Sequence, residues 1–308
     1  PCSSLIRDIS YILLQLLIHK VRSSNDQLPT FIYYHHMTAS KNLDPSKLRF
    51  IAMDMDGTIL DEGYQLSPHV ADTLKKLQNQ GKKLIIATGR IYKAAKIVLA
   101  DSFEPDAFVC TNGADIYNRD GTILASHHIP TEALPILTKV SRDHDVLFCC
   151  YVGERWIYDR YSPGVDFYEK RTGMKGVRKN FDSLVGEDIL KFLAVGPNEK
   201  LLEMRETILN SAPDLLDAFF SHETMLEIVA SGVSKRQGLE ECLHYLGGSL
   251  EETIAFGDAE NDLEMLKSVK VGVAMGNAHS YIQTAVPYVT ASVDDDGVAR
   301  FLEELFGI

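Results

Sequence analysis

The sequence predicts an α/β fold in which a parallel β-sheet with crossover helices is interrupted by an inserted α+β domain. Short, almost wholly apolar segments alternate with segments of helical periodicity, and a polar or glycine-rich turn follows each apolar segment. Continuous apolar strands of this kind are typical of a parallel sheet that is covered on both faces. The length of 308 residues also suits about two domains.

Five segments are the candidate strands of the parallel sheet. They are residues 49–53, 83–87, 107–110, 253–256 and 271–275. Their alternation with helical segments is that of successive strand–helix–strand units. Three of them precede the region of different texture and two follow it, so we expect the parallel-sheet domain to be discontinuous in the sequence.

The first crossover helix has clear signals at both ends. Ser67 is a suitable N-cap, Pro68 fits the first helical position, and Gly81 closes the segment. Apolar residues at i, i+3, i+4 and i+7 predict two further helices, one along residues 239–246 and one along residues 298–305.

A different pattern of apolar and polar segments between about residues 130 and 224 predicts the inserted domain. Its strands, at 147–152 and 191–195, are longer and less regular, and its helices lie near 131–144 and 199–210. The predicted division of the chain is an N-terminal extension (1–46), a parallel-sheet domain (47–129 and 225–308) and an α+β domain (130–224).

The extension is expected to be dispensable. Its apolar run at 11–18 is about half as long as the roughly 20 residues that a membrane-spanning helix needs. Lys20 and Arg22 follow the run where a signal peptide would have small residues. Met37 resembles a translation start, so residues 1–36 are not expected to be part of the fold, and a chain beginning at Met37 should keep full activity.

Charge and cysteine content narrow the possible partners. The formal net charge of −12 argues against a nucleic-acid-binding protein, which normally has a basic face. The five cysteines show no spacing of a zinc site, and a reducing cytoplasmic setting suits them best. We expect no nucleic-acid partner and no membrane partner.

The most informative motif follows the first predicted strand directly, and it contains Asp54, Asp56 and Gly57. Ligands of open α/β sheets bind at the carboxyl ends of the strands. Asp54 can act there as nucleophile and metal ligand, and Asp56 as general acid and then general base. Gly57 allows a tight turn whose N–H groups face an anion. A calcium loop of the EF-hand type is excluded, because residues 58, 59 and 65 are wrong for it; a solvated acidic turn remains an alternative.

Three further segments reach the same edge. Thr88-Gly89-Arg90 follows the second strand, Lys235 precedes a helix, and Asp258 and Asp262 follow the fourth strand at i, i+4 spacing. Each has an ordinary explanation, namely a helix cap for Thr88 and Asp258 and a solvated side chain for Lys235. Their common placement favours a site that binds phosphate and a hard cation such as Mg²⁺.

These four segments resemble the motifs of the haloacid dehalogenase-like (HAD) superfamily, and in particular its Cof-type phosphatases. The resemblance runs from about residue 48 to the C-terminus, and the insertion resembles the family's α+β cap. It implies a Rossmann-like core of the HAD fold, with Asp54 as nucleophile, Asp56 as acid and base, and Thr88 and Lys235 as phosphate ligands. The residues implied around Mg²⁺ are Asp54, Asp56 through its carbonyl, Asp258 and Asp262. Those expected to bind substrate are Met55, Gly57, Gly89, Arg90, Asn112 and Asn261.

The predicted function is therefore Mg²⁺-dependent hydrolysis of a small phosphomonoester through an aspartyl-phosphate. A sugar phosphate, pyridoxal phosphate or a nucleotide would suit, and the protein would be a cytoplasmic monomer or homodimer. A phosphomutase would use the same residues and stays open. A dehalogenase needs no acid at Asp56, and a non-enzymatic sensor of phosphorylated metabolites would be expected to lack Asp54 or Asp56.

Overall fold

The computed structural model describes residues 43–100 and 102–308. The predictions about residues 1–36 and about a start at Met37 lie outside the described residues. Within them, no helix is both long enough and apolar enough to cross a membrane.

Two β-sheets and the helices on their faces make up the described chain. The strands are β1 (Phe50–Met53), β2 (Lys83–Ala87), β3 (Ala107–Cys110), β4 (Asp115–Asn118), β5 (Ile123–Ser126), β6 (Leu147–Val152), β7 (Arg155–Tyr158), β8 (Val177–Arg178), β9 (Ile189–Val195), β10 (Leu216–His222), β11 (Met225–Ala230), β12 (Thr253–Gly257), β13 (Val271–Ala274) and β14 (Tyr288–Val289). The helices are α1 (Pro68–Asn79), α2 (Tyr92–Leu99), α3 (Leu134–Asp143), α4 (Pro163–Thr172), α5 (Asn198–Ser211), α6 (Lys235–Tyr245), α7 (Leu263–Ser268), α8 (Ser280–Ala285) and α9 (Gly297–Phe306).

The first sheet has the strand order β14-β13-β12-β1-β2-β3-β4-β5. Strands β14 to β3 are parallel, and β4 and β5 extend the sheet in antiparallel pairing. The five predicted strands are confirmed to within one residue at each end. Because β1 lies between β2 and β12, segments from both halves of the sequence meet at the centre of this sheet.

Helices cover both faces of the first sheet. Ile51 and Met53 pack in a cluster with residues of α1 and α9, whereas Phe50 and Ala52 pack in a second cluster with residues of α6. The predicted start of α1 is confirmed, since the Ser67 side chain accepts a hydrogen bond from the N–H of His69. Burial on both faces explains why the strands are apolar throughout.

The second sheet has the strand order β10-β11-β9-β6-β7-β8 and is antiparallel except between β7 and β8. One face packs under α3 and α5 around Phe148 and Phe192. The other face carries Tyr151, Lys191 and Leu193, and it lies over the carboxyl ends of the first sheet's strands. The predicted combination of a parallel-sheet core with a separate α+β region is confirmed.

Two predicted borders of the parallel-sheet domain, at residues 47 and 225, differ from the pairing and packing in the structure. Strand β11, placed with the parallel-sheet domain by the sequence, pairs with β9 and β10, so the second sheet extends to Ala230. Every residue of β11 is buried, so its sequence resembles that of a strand in the parallel sheet. At the other border, Leu43 packs on the first sheet's core and the Pro45 carbonyl accepts a hydrogen bond from Lys82.

Candidate active site

Asp54 is the first residue after β1, where it is 5% exposed. Its N–H donates to the carbonyl of Phe256, so the pairing of β1 with β12 fixes its position. Gly57 then turns the chain with a φ of +82°, and a Cβ at this position would lie 2.4 Å from Oδ2 of Asp258. Only glycine therefore lets the loop after β1 approach the loop after β12 this closely.

Lys235, the first residue of α6, connects the two loops. Its Nζ donates to Oδ1 of Asp54 and to Oδ1 of Asp262, each at 2.7 Å, and its side chain is 1% exposed. Burial alone would lower the pKa of Lys235, but Asp262 and Asp54 together hold it above its usual value. The lysine is thus a cation beside the predicted nucleophile.

The loop after β12 is arranged around Asp262. Oδ2 of Asp262 accepts hydrogen bonds from the N–H groups of Asp258 and Ala259, each at 3.0 Å. Thr58 donates from Oγ1 to Oδ1 of Asp258 at 2.9 Å. The α-helix begins only at Leu263, after a 3-10 turn. The two acids are therefore brought together by this loop and do not share a helix face.

Asp54, Asp258 and Asp262 form a cluster in which one oxygen from each lies within 4.8 Å of the others. Burial, with a contribution from Asp262, raises the pKa of Asp258 to about 7. Burial likewise raises the pKa of Asp54 well above its usual value, although Lys235 opposes this shift. Three closely spaced carboxylates share one cation, Lys235, and such carboxylates are the hard oxygen donors that Mg²⁺ prefers. The residues present fit a divalent cation.

Asp56 lies at the rim, where its side chain is 41% exposed. The Arg90 guanidinium donates from Nε to Oδ2 of Asp56 at 2.8 Å and from Nη2 to Oδ1. The guanidinium also lies over the ring of Tyr64, 4.9 Å from its centroid. This two-point contact fixes the orientation of the Asp56 carboxylate. Arg90, predicted to bind substrate, thus contacts the predicted acid and base.

The loop after β2 contains the other predicted phosphate ligand. Thr88 is fully buried, and its Oγ1 accepts a hydrogen bond from the N–H of Arg90. Behind Gly89 lies Asn112, which adopts a left-handed conformation with φ of 58°. Asn112 accepts a hydrogen bond through Oδ1 from Nδ2 of Asn261 at 2.9 Å. Asn112 therefore supports the loops after β2 and β12 from behind.

A cavity of about 840 Å³ lies between the carboxyl ends of the first sheet's strands and the second sheet. The predicted residues that line it are Asp54, Asp56, Gly57, Gly89, Arg90, Lys235, Asp258 and Asn261. Those outside the lining are Met55, Thr88, Asn112 and Asp262. The Met55 side chain packs in the core beneath the sheet edge, so only its main chain is available to a ligand.

The opposite wall belongs to the second sheet and to α4. It includes Tyr151, Tyr168, Lys191, Ser221 and Glu227. The hydroxyl groups of Tyr151 and Tyr168 lie 2.6 Å apart.

Several residues of this site were missed by the sequence reading. Thr58 fixes Asp258, and Asn277 donates from Nδ2 to the carbonyl of Gly57 at 2.8 Å. Asn277 follows β13 at the same sheet edge, so the rule applied to the other strands would have found it. Lys191 and Glu227 were detectable as single charged residues within otherwise apolar strands.

Comparison with known families and proteins gives consistent matches. The sequence model of a family described as haloacid dehalogenase-like hydrolase matches residues 51–302. A 5-amino-6-(5-phospho-D-ribitylamino)uracil phosphatase of Bacillus subtilis is 28% identical over 269 residues, which are 85% of this chain and 99% of that protein. An HMP-PP phosphatase of Yersinia enterocolitica is 28% identical over 257 residues, which are 83% of this chain and 94% of that protein.

Solved structures match over the same extent. A haloacid dehalogenase-like hydrolase from Bacteroides thetaiotaomicron is 29% identical with a TM-score of 0.73, and the match covers 84% of this chain and 100% of that one. A phosphatase of the haloalkanoate enzyme superfamily from the same organism is 26% identical with a TM-score of 0.75, and the match covers 87% of this chain and 99% of that one.

Proposed function

Because the chain belongs to the haloacid dehalogenase-like hydrolase family, we propose that it is a phosphatase that hydrolyses small phosphate monoesters through a phosphoryl group carried by Asp54. The family predicted from the motifs is confirmed. The observation that carries the proposal is the contact between buried Asp54 and Lys235 at the floor of a cavity that Asp56 and Asp258 also line.

In the first step, a carboxylate oxygen of Asp54 attacks phosphorus and the bond from phosphorus to the ester oxygen breaks. Oδ1 of Asp54 already accepts a hydrogen bond from Lys235, so we assign the attack to Oδ2. The Lys235 ammonium offsets negative charge where the nucleophile and the phosphoryl group meet. Asp56, in its protonated form, gives a proton to the departing oxygen, which leaves as an alcohol, and it regains a proton in the second step.

In the second step, a water molecule attacks the phosphorus of the aspartyl-phosphate. Asp56, now a carboxylate, takes a proton from this water, and the bond between phosphorus and Asp54 breaks to release phosphate. The two-point contact with Arg90 keeps the Asp56 carboxylate in one orientation at the cavity wall. Thr88 is buried behind Gly89 and outside the cavity lining, and we assign its hydroxyl to a phosphoryl oxygen because of its motif, which requires the loop to open slightly when phosphate binds.

The proposed Mg²⁺ ligands are Asp54, the main-chain carbonyl of Asp56, and Asp258. The ion, when bound, would neutralise charge on the phosphoryl oxygens and align the ester with the nucleophile. Asp262 was included among the metal ligands by the sequence reading, but both of its oxygens accept hydrogen bonds from Lys235 and the loop. We therefore assign to Asp262 the positioning of Lys235 and of the loop that carries Asp258.

The size of the cavity supports a small phosphorylated metabolite as substrate. Pockets for small ligands typically measure about 300 to 1,000 Å³, and this cavity, at about 840 Å³, has room for a leaving group much larger than phosphate. The similar proteins are named as phosphatases of a phosphoribitylamino-uracil and of HMP-PP. Sugar phosphates, pyridoxal phosphate and nucleotides remain our substrate classes. The buried free thiols of Cys110, Cys149, Cys150 and Cys242 support a reducing, cytoplasmic setting.

A panel of phosphate monoesters tests the proposal. We expect phosphate release from at least one class with Mg²⁺ present and none with EDTA, and restoration when Mg²⁺ is added back. Acid-quenched enzyme should carry an added phosphoryl mass on the peptide that contains Asp54. A phosphoryl label confined to a histidine or serine peptide would contradict the assignment of the nucleophile.

A further inference from the structure

We propose that Lys191, on the second sheet, is a positioning residue for the phosphate-binding loop of the first sheet, residues 88–90. The active site would then be complete only while the second sheet lies over it. This inference rests on the proposed phosphatase function and assigns a task to a residue outside the motifs.

The contact that carries the inference crosses from one sheet to the other. Nζ of Lys191, in the middle of β9, donates to the main-chain carbonyl of Gly89 at 2.8 Å. The Lys191 side chain is only 5% exposed. A hydrogen bond from an ammonium group to a carbonyl is strong when water is excluded from it.

The surroundings hold the ammonium group in place. Oε2 of Glu227, on β11, lies 2.8 Å from Nζ of Lys191, and this side chain is also 5% exposed. Ser221 donates from Oγ to Oε1 of Glu227 at 2.9 Å. The Lys191 ammonium lies 5.0 Å from the centroid of the Tyr151 ring. Partners on three sides leave the lysine little freedom.

A buried charged pair is an unusual way to stabilise a sheet. Apolar residues in its place are often as good or better, because both charges must leave water. The packed face of β9 is apolar, with Phe192 fully buried between Phe148 and Phe181. The pair lies on the cavity side instead, where its contact across the cavity is to Gly89. The location indicates a task at the active site.

The position of Gly89 explains what that task is. Gly89 lies between Thr88, the proposed phosphate ligand, and Arg90, which contacts both oxygens of Asp56. The N–H of Arg90 also donates to Oγ1 of Thr88. A shift of the Gly89 carbonyl therefore displaces the phosphate ligand and the acid together. A misplacement of about 1 Å can reduce a rate by about 10²-fold.

Another ion pair between the two regions serves as a matched control. Lys93 of α2 contacts Glu154, in the turn between β6 and β7, at 2.8 Å, but these side chains are 55% and 62% exposed. Neither residue lies in a proposed catalytic loop. Exposed pairs of this kind contribute little, so Lys93→Met removes a lysine contact between the regions without moving the phosphate-binding loop.

The first test compares Lys191→Met with Lys93→Met on two alkyl esters whose leaving groups differ in shape but need similar acid assistance, ribose 5-phosphate and glycerol 3-phosphate. We expect Lys191→Met to lower kcat about 10- to 100-fold, by the same factor on both esters and with a smaller change in KM. Lys93→Met should stay within about twofold of the unchanged protein. A loss that differs strongly between the esters would show that Lys191 contacts the leaving group, and would overturn the inference.

The second test separates positioning from stability. Lys191→Met leaves Glu227 buried without its counter-ion, so its thermal stability should fall, whereas the double variant Lys191→Met/Glu227→Met should recover it. We expect kcat to remain low in the double variant. Phe192→Leu, which weakens the packed face of the same strand, should lower the melting temperature without lowering kcat at 25 °C.

Recovery of kcat together with stability in the double variant would overturn the inference alone. Absence of turnover of every ester by the unchanged protein would remove the proposed function, and the inference with it.

Discussion

Asp54 and Asp56 are two residues apart in the sequence but occupy different surroundings. Asp54 is 5% exposed and contacts Lys235, whereas the Asp56 side chain is 41% exposed and contacts Arg90. A buried carboxylate beside a fixed ammonium group suits a nucleophile. A partly exposed carboxylate at the rim can exchange protons with water and with a leaving group. The difference in surroundings supports the different tasks proposed for the two residues.

Exchanging each carboxylate for an amide separates these tasks. Asp54→Asn removes the atom that bonds to phosphorus, so we expect no turnover and no phosphoenzyme. Asp56→Asn keeps the nucleophile but loses proton transfer, which is typically worth about 10² to 10⁴ in rate. An aryl phosphate needs little acid assistance in the first step, so Asp56→Asn should still form the phosphoenzyme from it. The second step needs Asp56 as a base, and the phosphoenzyme should therefore accumulate. Mass spectrometry of quenched samples checks this; a burst of product from Asp54→Asn would contradict it.

Thr58 offers a test of the metal site that leaves the proposed ligands unchanged. Thr58→Val preserves the shape of the side chain but removes the hydrogen bond to Oδ1 of Asp258. Loss of a partner that orients a metal ligand typically weakens metal affinity about 10- to 100-fold, so we expect Mg²⁺ binding to weaken by about 10-fold. Calorimetric titration measures it.

Thr73→Val is the matched control, because Thr73 donates to Glu303, which is not part of the Asp cluster. Equal Mg²⁺ affinity in Thr58→Val and Thr73→Val would show that Asp258 needs no such support.

At the scale of secondary-structure elements, the loop after β1 depends on Gly57. A Cβ there would meet Oδ2 of Asp258 at 2.4 Å, whereas a Cβ on Gly81 would meet nothing within 4 Å. Both glycines have positive φ, +82° and +89°, so replacement by alanine strains the backbone at either position by about 1 to 2 kcal/mol. Only Gly57→Ala also displaces Asp258.

We therefore expect Gly81→Ala to lower the free energy of unfolding while Mg²⁺-dependent activity is kept. Gly57→Ala should show a comparable loss from strain and, in addition, should lose most of its activity. Chemical denaturation and initial rates measure the two effects. Retained activity in Gly57→Ala would mean that the two loops need not approach this closely.

Helices α1 and α9 are linked by a pH-sensitive contact. Nδ1 of His69 lies 3.0 Å from Oδ2 of Asp296, and Nε2 lies 2.8 Å from Oε1 of Glu303. The hydrogen bonds with Asp296 and then Glu303 raise the pKa of His69. Burial alone would raise the pKa of Asp296 and of Glu303, but the hydrogen bonds that each acid accepts lower its pKa below the usual value.

The sign of the pH dependence follows from these shifts. A histidine with a raised pKa stabilises the fold fully below its unfolded pKa of about 6.5 and loses the effect as the pH rises through its folded pKa. The two acids contribute above their unfolded pKa values of about 4 and lose the effect in acid. The contact should thus be most stabilising at about pH 4.5 to 6.5. We expect His69→Gln to lower the melting temperature more at about pH 5.5 than at about pH 8.5; equal losses at both would contradict the expectation.

How far the sequence predicts each element depends on how local its signal is. Strands β1, β2, β3, β12 and β13 are continuous apolar runs, and α1 has its cap residues, so these were found. Strand β4 is fully buried only at its first two residues, and β5 is partly exposed, with Ile123 56% exposed, so neither is a continuous apolar run. The site motifs are local too. By contrast, the contacts of Lys191 with Gly89 and of Thr58 with Asp258 join segments 102 and 200 residues apart, and no local pattern encodes them.

At the scale of the whole molecule, the proposed metal site needs both halves of the sequence. Asp54 follows β1, and Asp258 follows β12, after the chain has passed through the second sheet and returned. We expect a chain ending at Ala230 to bind no Mg²⁺ and to show no turnover, because it lacks Asp258 and Lys235. Calorimetry and a phosphate-release assay on that truncated chain measure this. Activity in it would mean that the assigned ligands are wrong.

The strand order affects how the protein can fold during its synthesis. β1 is among the first strands to emerge, but one of its two neighbours, β12, follows about 200 residues later, which at about 5 to 20 residues per second is a delay of roughly 10 to 40 seconds. During that time β1 offers an unpaired, wholly apolar edge of the kind that recruits other chains. β6 to β11, by contrast, can pair with one another before synthesis ends. We therefore expect the nascent protein to have a folded second sheet and an incomplete first sheet. It should depend on chaperones until the last quarter of its sequence has been synthesised.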